Sequence, residues 1–190
     1  MKKLSSHIRK LAFVTPVLVA LTFNSRAEDS EYSRAGRWEV GSSFKYWMGC
    51  DVIESATGVG FMGGYNFNEH WNLSVEGYFG IWLNTEFNGV DGRGSIYTAI
   101  VNLDYYLKPG RFSPYLTASA GIFNYDSKED FHGPSSFSIS ETGVSYGGGA
   151  GVRWEIARHW FMKASYRAFG TTADGVDFMH GPEVTVGFKF

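Results

Sequence analysis

The sequence predicts an all-β chain, an eight-stranded antiparallel up-and-down transmembrane β-barrel. Three observations lead there. Apolar and polar residues alternate with a period of two in eight separate segments, the pattern of a strand whose two sides face different surroundings. The connections between the segments alternate long and short along the chain. The acids and bases within the segments all fall on one of the two faces, leaving the other without Asp, Glu, Lys or Arg. Composition agrees, since 17% aromatic residues, 24 Gly and 5 Pro suit short alternating strands better than a helical bundle.

The N-terminal stretch reads separately. Met1-Lys2-Lys3, with Arg9 and Lys10 behind, forms a basic start; Leu11 to Phe23 is an apolar run; Ser25-Arg26-Ala27 offers small residues where a signal peptidase cuts. The run contains Pro16 and falls short of the ~20 residues a spanning helix needs. Residues 1–27 are therefore expected to be a cleaved secretory signal and residues 28–190 one domain. The formal net charge of −2 carries no electrostatic footprint for nucleic acid. Cys50 is the sole cysteine, which excludes a scaffold stapled by its own disulfides.

Each strand is placed by its alternation. The first, Trp38 to Trp47, sets Trp38, Val40, Phe44 and Tyr46 against Glu39, Ser43 and Lys45. The second, Gly58 to Phe67, ends in the turn Asn68-Glu69-His70, and the third runs from Trp71 to Trp82 with Glu76 on its polar face. The fourth, Ser95 to Leu107, carries Asp104 and meets the turn signal Lys108-Pro109-Gly110-Arg111. In the fifth, Pro114 to Tyr125, two sets of apolar residues compete; Leu116, Ala118, Ala120 and Ile122 are taken as the outward face. The sixth, Thr142 to Ile156, has a glycine-lined face ending in Arg153 and Glu155, and Ala157-Arg158-His159 turns the chain into the seventh, Trp160 to Phe169, with Lys163 and Arg167. The eighth, Pro182 to Phe190, alternates without a slip, Val184, Val186, Phe188 and Phe190 against Glu183, Thr185 and Lys189.

Short turns and long loops alternating around an even number of strands describe an outer-membrane barrel with its turns on the periplasmic side. The long connections are expected at Met48 to Thr57, Leu83 to Gly94, Asp126 to Glu141 and Gly170 to His180. A Lys or Arg against lipid near the midplane costs ~2–4 kcal/mol, so the charged face must be the lumen. Glu39, Lys45, Glu76, Asp104, Arg153, Glu155, Lys163, Arg167, Glu183 and Lys189 then form a charge-paired interior. If the first and last strands close the barrel, one register sets Glu39 opposite Lys189 and Lys45 opposite Glu183. Lys163 and Arg167 can reach Glu76 and Asp104 across a barrel narrow enough for side chains to fill.

The closing strand resembles that of bacterial outer-membrane β-barrels, and the resemblance implies that Val184, Val186, Phe188 and Phe190 are read by the β-barrel assembly machinery. Together with Gly58 to Phe67 leading to Trp71-Asn72-Leu73, the Ser113-Pro114-Tyr115 opening of the fifth strand, and the hairpin from Gly147 through Trp154 to Trp160, the chain from Arg37 to Phe190 resembles the OmpA-like family of small outer-membrane barrels. That family includes OmpX-type and opacity-type surface barrels. The resemblance implies an outer-membrane location among lipids and lipopolysaccharide.

Two classes of function follow from these features. One is a non-enzymatic, monomeric surface barrel whose loops meet an extracellular ligand or a host surface. The other is a lipid A-modifying enzyme, for which His132, Ser136 and Glu141 supply the residue types of a nucleophile, base and orienting acid. A passive pore is a third reading, opposed by the narrowness of eight strands. His70, His132, His159 and His180 show no metal-ligand spacing, and no cofactor is expected.

Overall fold

A computed structural model describes residues 32–49, 53–87, 90–130, 136–173 and 177–190. Among them, eight antiparallel strands close into a barrel in chain order. They are β1 (Trp38–Met48), β2 (Ile53–Asn66), β3 (Trp71–Phe87), β4 (Val90–Tyr106), β5 (Phe112–Asp130), β6 (Ser136–Glu155), β7 (Trp160–Thr171) and β8 (Phe178–Lys189). Closure is made by β1 on β8, with Glu39 opposite Lys189 and Lys45 opposite Glu183. This is the register expected from the charges, because a one-residue slip would send every interior side chain to the lipid.

The periplasmic turns are built as their residues dictate. Asn68 Oδ1 accepts hydrogen bonds from the amides of His70 (2.8 Å) and Trp71 (3.0 Å), the side chain standing in for a backbone turn. In the Lys108 to Arg111 turn, Gly110 has φ 137°, a backbone shape that glycine adopts without strain.

The opposite ends of the strands depart from expectation. Most of the segments expected as long loops are strand: Asp126 to Asp130 pair with Ser140 to Ser136, Leu83 to Phe87 pair with Gly94 to Val90, and Ser55 and Ala56 pair with Asn84 and Leu83. Phe178 to His180 likewise belong to β8 and pair with Gly170 to Ala168. Alternation marks where a strand touches lipid. The ladder of backbone hydrogen bonds continues beyond it, where both faces of a strand can be polar. A register shift between Gly80 and Leu83 also interrupts the side-chain period there, as a bulge does.

The two faces separate cleanly. Trp38, Val40, Phe44, Phe61, Val75, Val101, Leu116, Ile122, Val184 and Val186 are all exposed on the outer wall. On β5, Leu116, Ala118, Ala120 and Ile122 face out while Tyr115, Phe123 and Tyr125 are buried, the assignment expected for the ambiguous strand. Large interior groups fit because glycines line the wall: a Cβ at Gly149 would stand 2.9 Å from Arg167 Cγ, and one at Gly187 would collide with the Phe161 ring.

Candidate functional site

All ten charged residues assigned to the lumen by sequence are buried there. They are joined in two groups. Nearer the periplasm, Glu39 accepts from Arg153 Nη1 at 2.7 Å and Lys163 Nζ at 3.3 Å, and its remaining lone pairs meet Asn66 Nδ2 (2.9 Å) and Asn72 Nδ2 (3.1 Å). Lys163 also holds Asp104 at 3.0 Å. Arg153 Nε donates to Glu155 Oε1 at 2.7 Å, and Lys189 Nζ lies 3.0 Å from Glu155 Oε2. Arg153 further lies over the Phe161 ring, 3.9 Å from its centroid.

Above this group, Arg167 Nη1 bridges Glu76 (3.1 Å) and Glu183 (3.0 Å), while Lys45 Nζ meets the same carboxylates at 2.9 and 3.4 Å. Arg167 Nη2 donates to Asn102 Oδ1 and to Ser119 Oγ. The cross-barrel reach expected of Lys163 and Arg167 is therefore present. Of the two local pairs that position suggested, Lys45 and Glu183 meet at 3.4 Å, whereas Glu39 stands opposite Lys189 in the ladder but is held by Arg153 and Lys163 from β6 and β7. A cavity of about 20 Å³, with Thr117, Asn102, Asp104, Lys163, Arg167 and Glu183 among its lining residues, separates the two groups. That is room for about one water.

Toward the extracellular end the interior becomes apolar. Trp47, Ile96, Ile100, Phe123, Tyr125, Phe169 and Met179 pack into one cluster. Ile96 is 0% exposed and Phe123 1%. The junction is marked by Lys45, whose ammonium stands 5.6 Å from the Trp47 ring and 5.4 Å from Tyr78, and by Arg167, 5.0 Å from Phe169.

The periplasmic mouth is covered by residues 32–37, a segment that sequence reading left without a role. Arg34 is 1% exposed. Its guanidinium lies 3.9 Å from the centre of the Tyr106 ring, donates to Ser113 Oγ (2.9 Å) and to the Glu69 carbonyl (3.0 Å), and stands 3.9 Å from Glu155. Burial lowers the pKa of Arg34. Glu69 accepts from Ser33 Oγ at 2.5 Å and from the Ala35 amide at 3.2 Å. Burial pushes its carboxyl up, but those hydrogen bonds and the Arg34 charge hold it below the usual carboxylate range. Lys189 Nζ donates to the Tyr32 carbonyl at 2.9 Å. An arginine outside every alternating segment gives no periodic signal, and for that reason Arg34 escaped notice.

The closing-strand residues Val184, Val186, Phe188 and Phe190 line one outer face. Phe188 is flanked by Trp160 at 5.3 Å and His159 at 5.4 Å between ring centroids. His70, His159 and His180 bond to the Tyr106 carbonyl, the Lys189 carbonyl and the Tyr166 hydroxyl respectively. Of the residues weighed for acyl-ester chemistry, Glu141 is half-buried in β6 opposite Tyr125, Ser136 pairs with Asp130 in the ladder, and His132 lies outside the described residues. So do Cys50 and residues 1–27.

A closed barrel with an apolar, aromatic-ended exterior and a buried, ion-paired interior defines a membrane-spanning β-barrel of the bacterial outer membrane. Residues 15–190 match the family described as Outer membrane protein beta-barrel domain, and the chain belongs to that family. Among solved structures it is similar to Ail, the attachment invasion locus protein of Yersinia pestis, at 19% identity over 82% of this chain and 99% of that one, with a TM-score of 0.56. Ail in complex with the heparin analogue sucrose octasulfate matches at 18% identity over the same shares and with the same TM-score. OprG of Pseudomonas aeruginosa matches at 16% identity over 84% of this chain and 98% of that one, with a TM-score of 0.50. At such identities the likeness speaks to the fold. No curated protein matches the chain.

Proposed function

We propose that this outer-membrane barrel is a non-enzymatic surface protein, a rigid monomeric scaffold whose extracellular segments are the interaction surface. The observation that carries the reading is the filled lumen. An ion crossing it would have to displace Glu39, Arg153 and the Lys45–Glu76–Arg167–Glu183 group from their partners, then pass the apolar cluster around Ile96 and Phe123. Stripping buried charges of partners costs several kcal/mol each, so the interior serves architecture and leaves the chemistry to the outside.

The charge of the outside narrows the partner. The extracellular segments hold Asp51, Glu54, Glu86, Asp91, Asp126, Glu129, Asp130, Glu141, Asp174 and Asp177 against Arg93 and Lys128. Ail is known in complex with a polysulfated sugar; segments this acidic in sequence repel such a polyanion and favour neutral or basic partners. Binding of cells bearing the barrel to host surfaces, compared before and after deletion of the Asp126 to Glu141 segment, tests the reading. Unchanged binding for deletions of all four segments would remove it.

A lipid A mass spectrum, with and without the protein, tests the enzyme alternative. A lost or gained acyl chain that depends on His132, Ser136 and Glu141 would replace the surface reading with catalysis.

A further inference from the structure

Among the described residues, the turns of the periplasmic end are basic where the extracellular segments are acidic in sequence. Lys108, Arg111 and Arg158 are exposed in its turns and Arg37 is half-buried beside them. The acid among the described residues of this end's turns is Glu69, already held by Ser33, Ala35 and Arg34. Arg111 lies 5.7 Å from the Tyr32 ring, a contact that leaves its positive charge in place.

The placement of these residues is systematic. Arg37 precedes Trp38, Lys108 follows Leu107, Arg111 precedes Phe112, and Arg158 stands two residues before Trp160. Trp38, Leu107, Phe112 and Trp160 are all exposed on the outer wall at the periplasmic strand ends. Aromatic side chains at strand ends settle at the boundary between acyl chains and headgroups. A basic side chain one or two residues beyond that boundary extends its charge to the level of the lipid phosphates.

We propose that this rim binds anionic phospholipid headgroups of the periplasmic leaflet and selects them over zwitterionic ones. The inference is independent of what the extracellular segments bind. The aromatic girdle holds the rim at headgroup depth, so lipid phosphates are the first anions it meets. Clustered basic residues at a membrane surface gain affinity with each charge added.

The test uses the full chain, including the acids Glu28, Asp29 and Glu31 that precede the described residues. It is inserted into phosphatidylcholine vesicles containing brominated phosphatidylglycerol or, in parallel, brominated phosphatidylcholine. Trp38, Trp71, Trp154 and Trp160, four of the six tryptophans, lie at the periplasmic strand ends, so the part of the tryptophan quenching that changes with the rim substitutions reports on the lipid beside the rim. At low salt the native chain should prefer phosphatidylglycerol. The preference should fall by up to about fivefold for each charge removed in Lys108→Gln/Arg111→Gln/Arg158→Gln. It should survive in Lys108→Arg/Arg111→Lys/Arg158→Lys.

Should the triple variant fail to fold, Arg158→Gln alone still decides the matter by a smaller loss in the same direction. Equal quenching by the two lipids, or a preference that the Gln substitutions leave unchanged, overturns the proposal. Polyglutamate binding to the rim in pure phosphatidylcholine vesicles, with no preference between the lipids, also overturns it and assigns the rim to a soluble polyanion.

Discussion

In the periplasmic half of the lumen most of the buried groups are charged or polar and link strands that do not pair with one another, whereas in the extracellular half they are mainly apolar and pack into one cluster. Glu39 on β1 is held by Arg153 on β6 and Lys163 on β7; Ile96, Phe123 and Tyr125 touch within one cluster. The two halves tolerate change differently. A buried charge depends on partners on other strands, so removing one partner leaves the others desolvated and unpaired. A buried apolar residue loses contacts in proportion to the volume removed. The ionic half therefore specifies which strands face each other across the lumen, and the apolar half seals it.

The largest expected effect tests the ionic half alone. Glu39→Gln leaves Arg153 and Lys163 buried without their shared carboxylate and should destabilise the barrel by about 3–5 kcal/mol, read from urea unfolding in lipid vesicles. A loss no greater than a surface substitution would mean the interior is wetter than its burial implies. Replacing Lys45, Glu76, Arg167 and Glu183 together by Met or Leu should be neutral or even stabilising by about 1–4 kcal/mol, although Arg167→Met alone should be strongly destabilising. If the joint replacement is as harmful as the single one, the ion pairs contribute net stability and the contrast between the halves fails.

In the apolar half, Ile96→Val should cost about 0.5–1.5 kcal/mol in the same unfolding assay, a graded loss with no dependence on salt. The smallest effect lies at the mouth. Because the Glu69 carboxyl is held below its usual range, its contribution is present above the unfolded carboxylate pKa, ~4.3, and is lost as pH falls through the lower folded value. Hydrogen exchange at the Ala35 amide, which donates to Glu69, should therefore lose protection on acidification. Glu69→Gln should flatten that dependence; an unchanged profile in the variant would place the titrating group elsewhere.

Much of this was legible in the residues. The unbroken alternation from Val184 to Phe190 and the confinement of charge to one face follow from a wall with lipid on one side, a constraint that acts on each strand separately. The β1–β8 register was legible for the same reason, since Glu39, Lys45, Glu183 and Lys189 match at a single alignment. The strand extensions beyond the lipid were not, because polar residues there obey no period. Nor was the apolar seal, since Ile100, Phe123 and Phe169 share interior faces with polar residues and declare their company only when neighbouring strands bring them together.

By itself, then, the sequence determined the number of strands, the face each turns to lipid, and the burial of ten charged side chains, because strand geometry and the cost of charge in hydrocarbon act locally. Which charges pair was decided by the tertiary structure. Curvature and shear bring Arg153 and Lys163 to Glu39 from strands that do not pair with β1, separate Glu39 from the Lys189 it faces in the ladder, and draw Arg34 into the periplasmic mouth over Tyr106. Those distances run across the lumen, where no spacing along the chain records them.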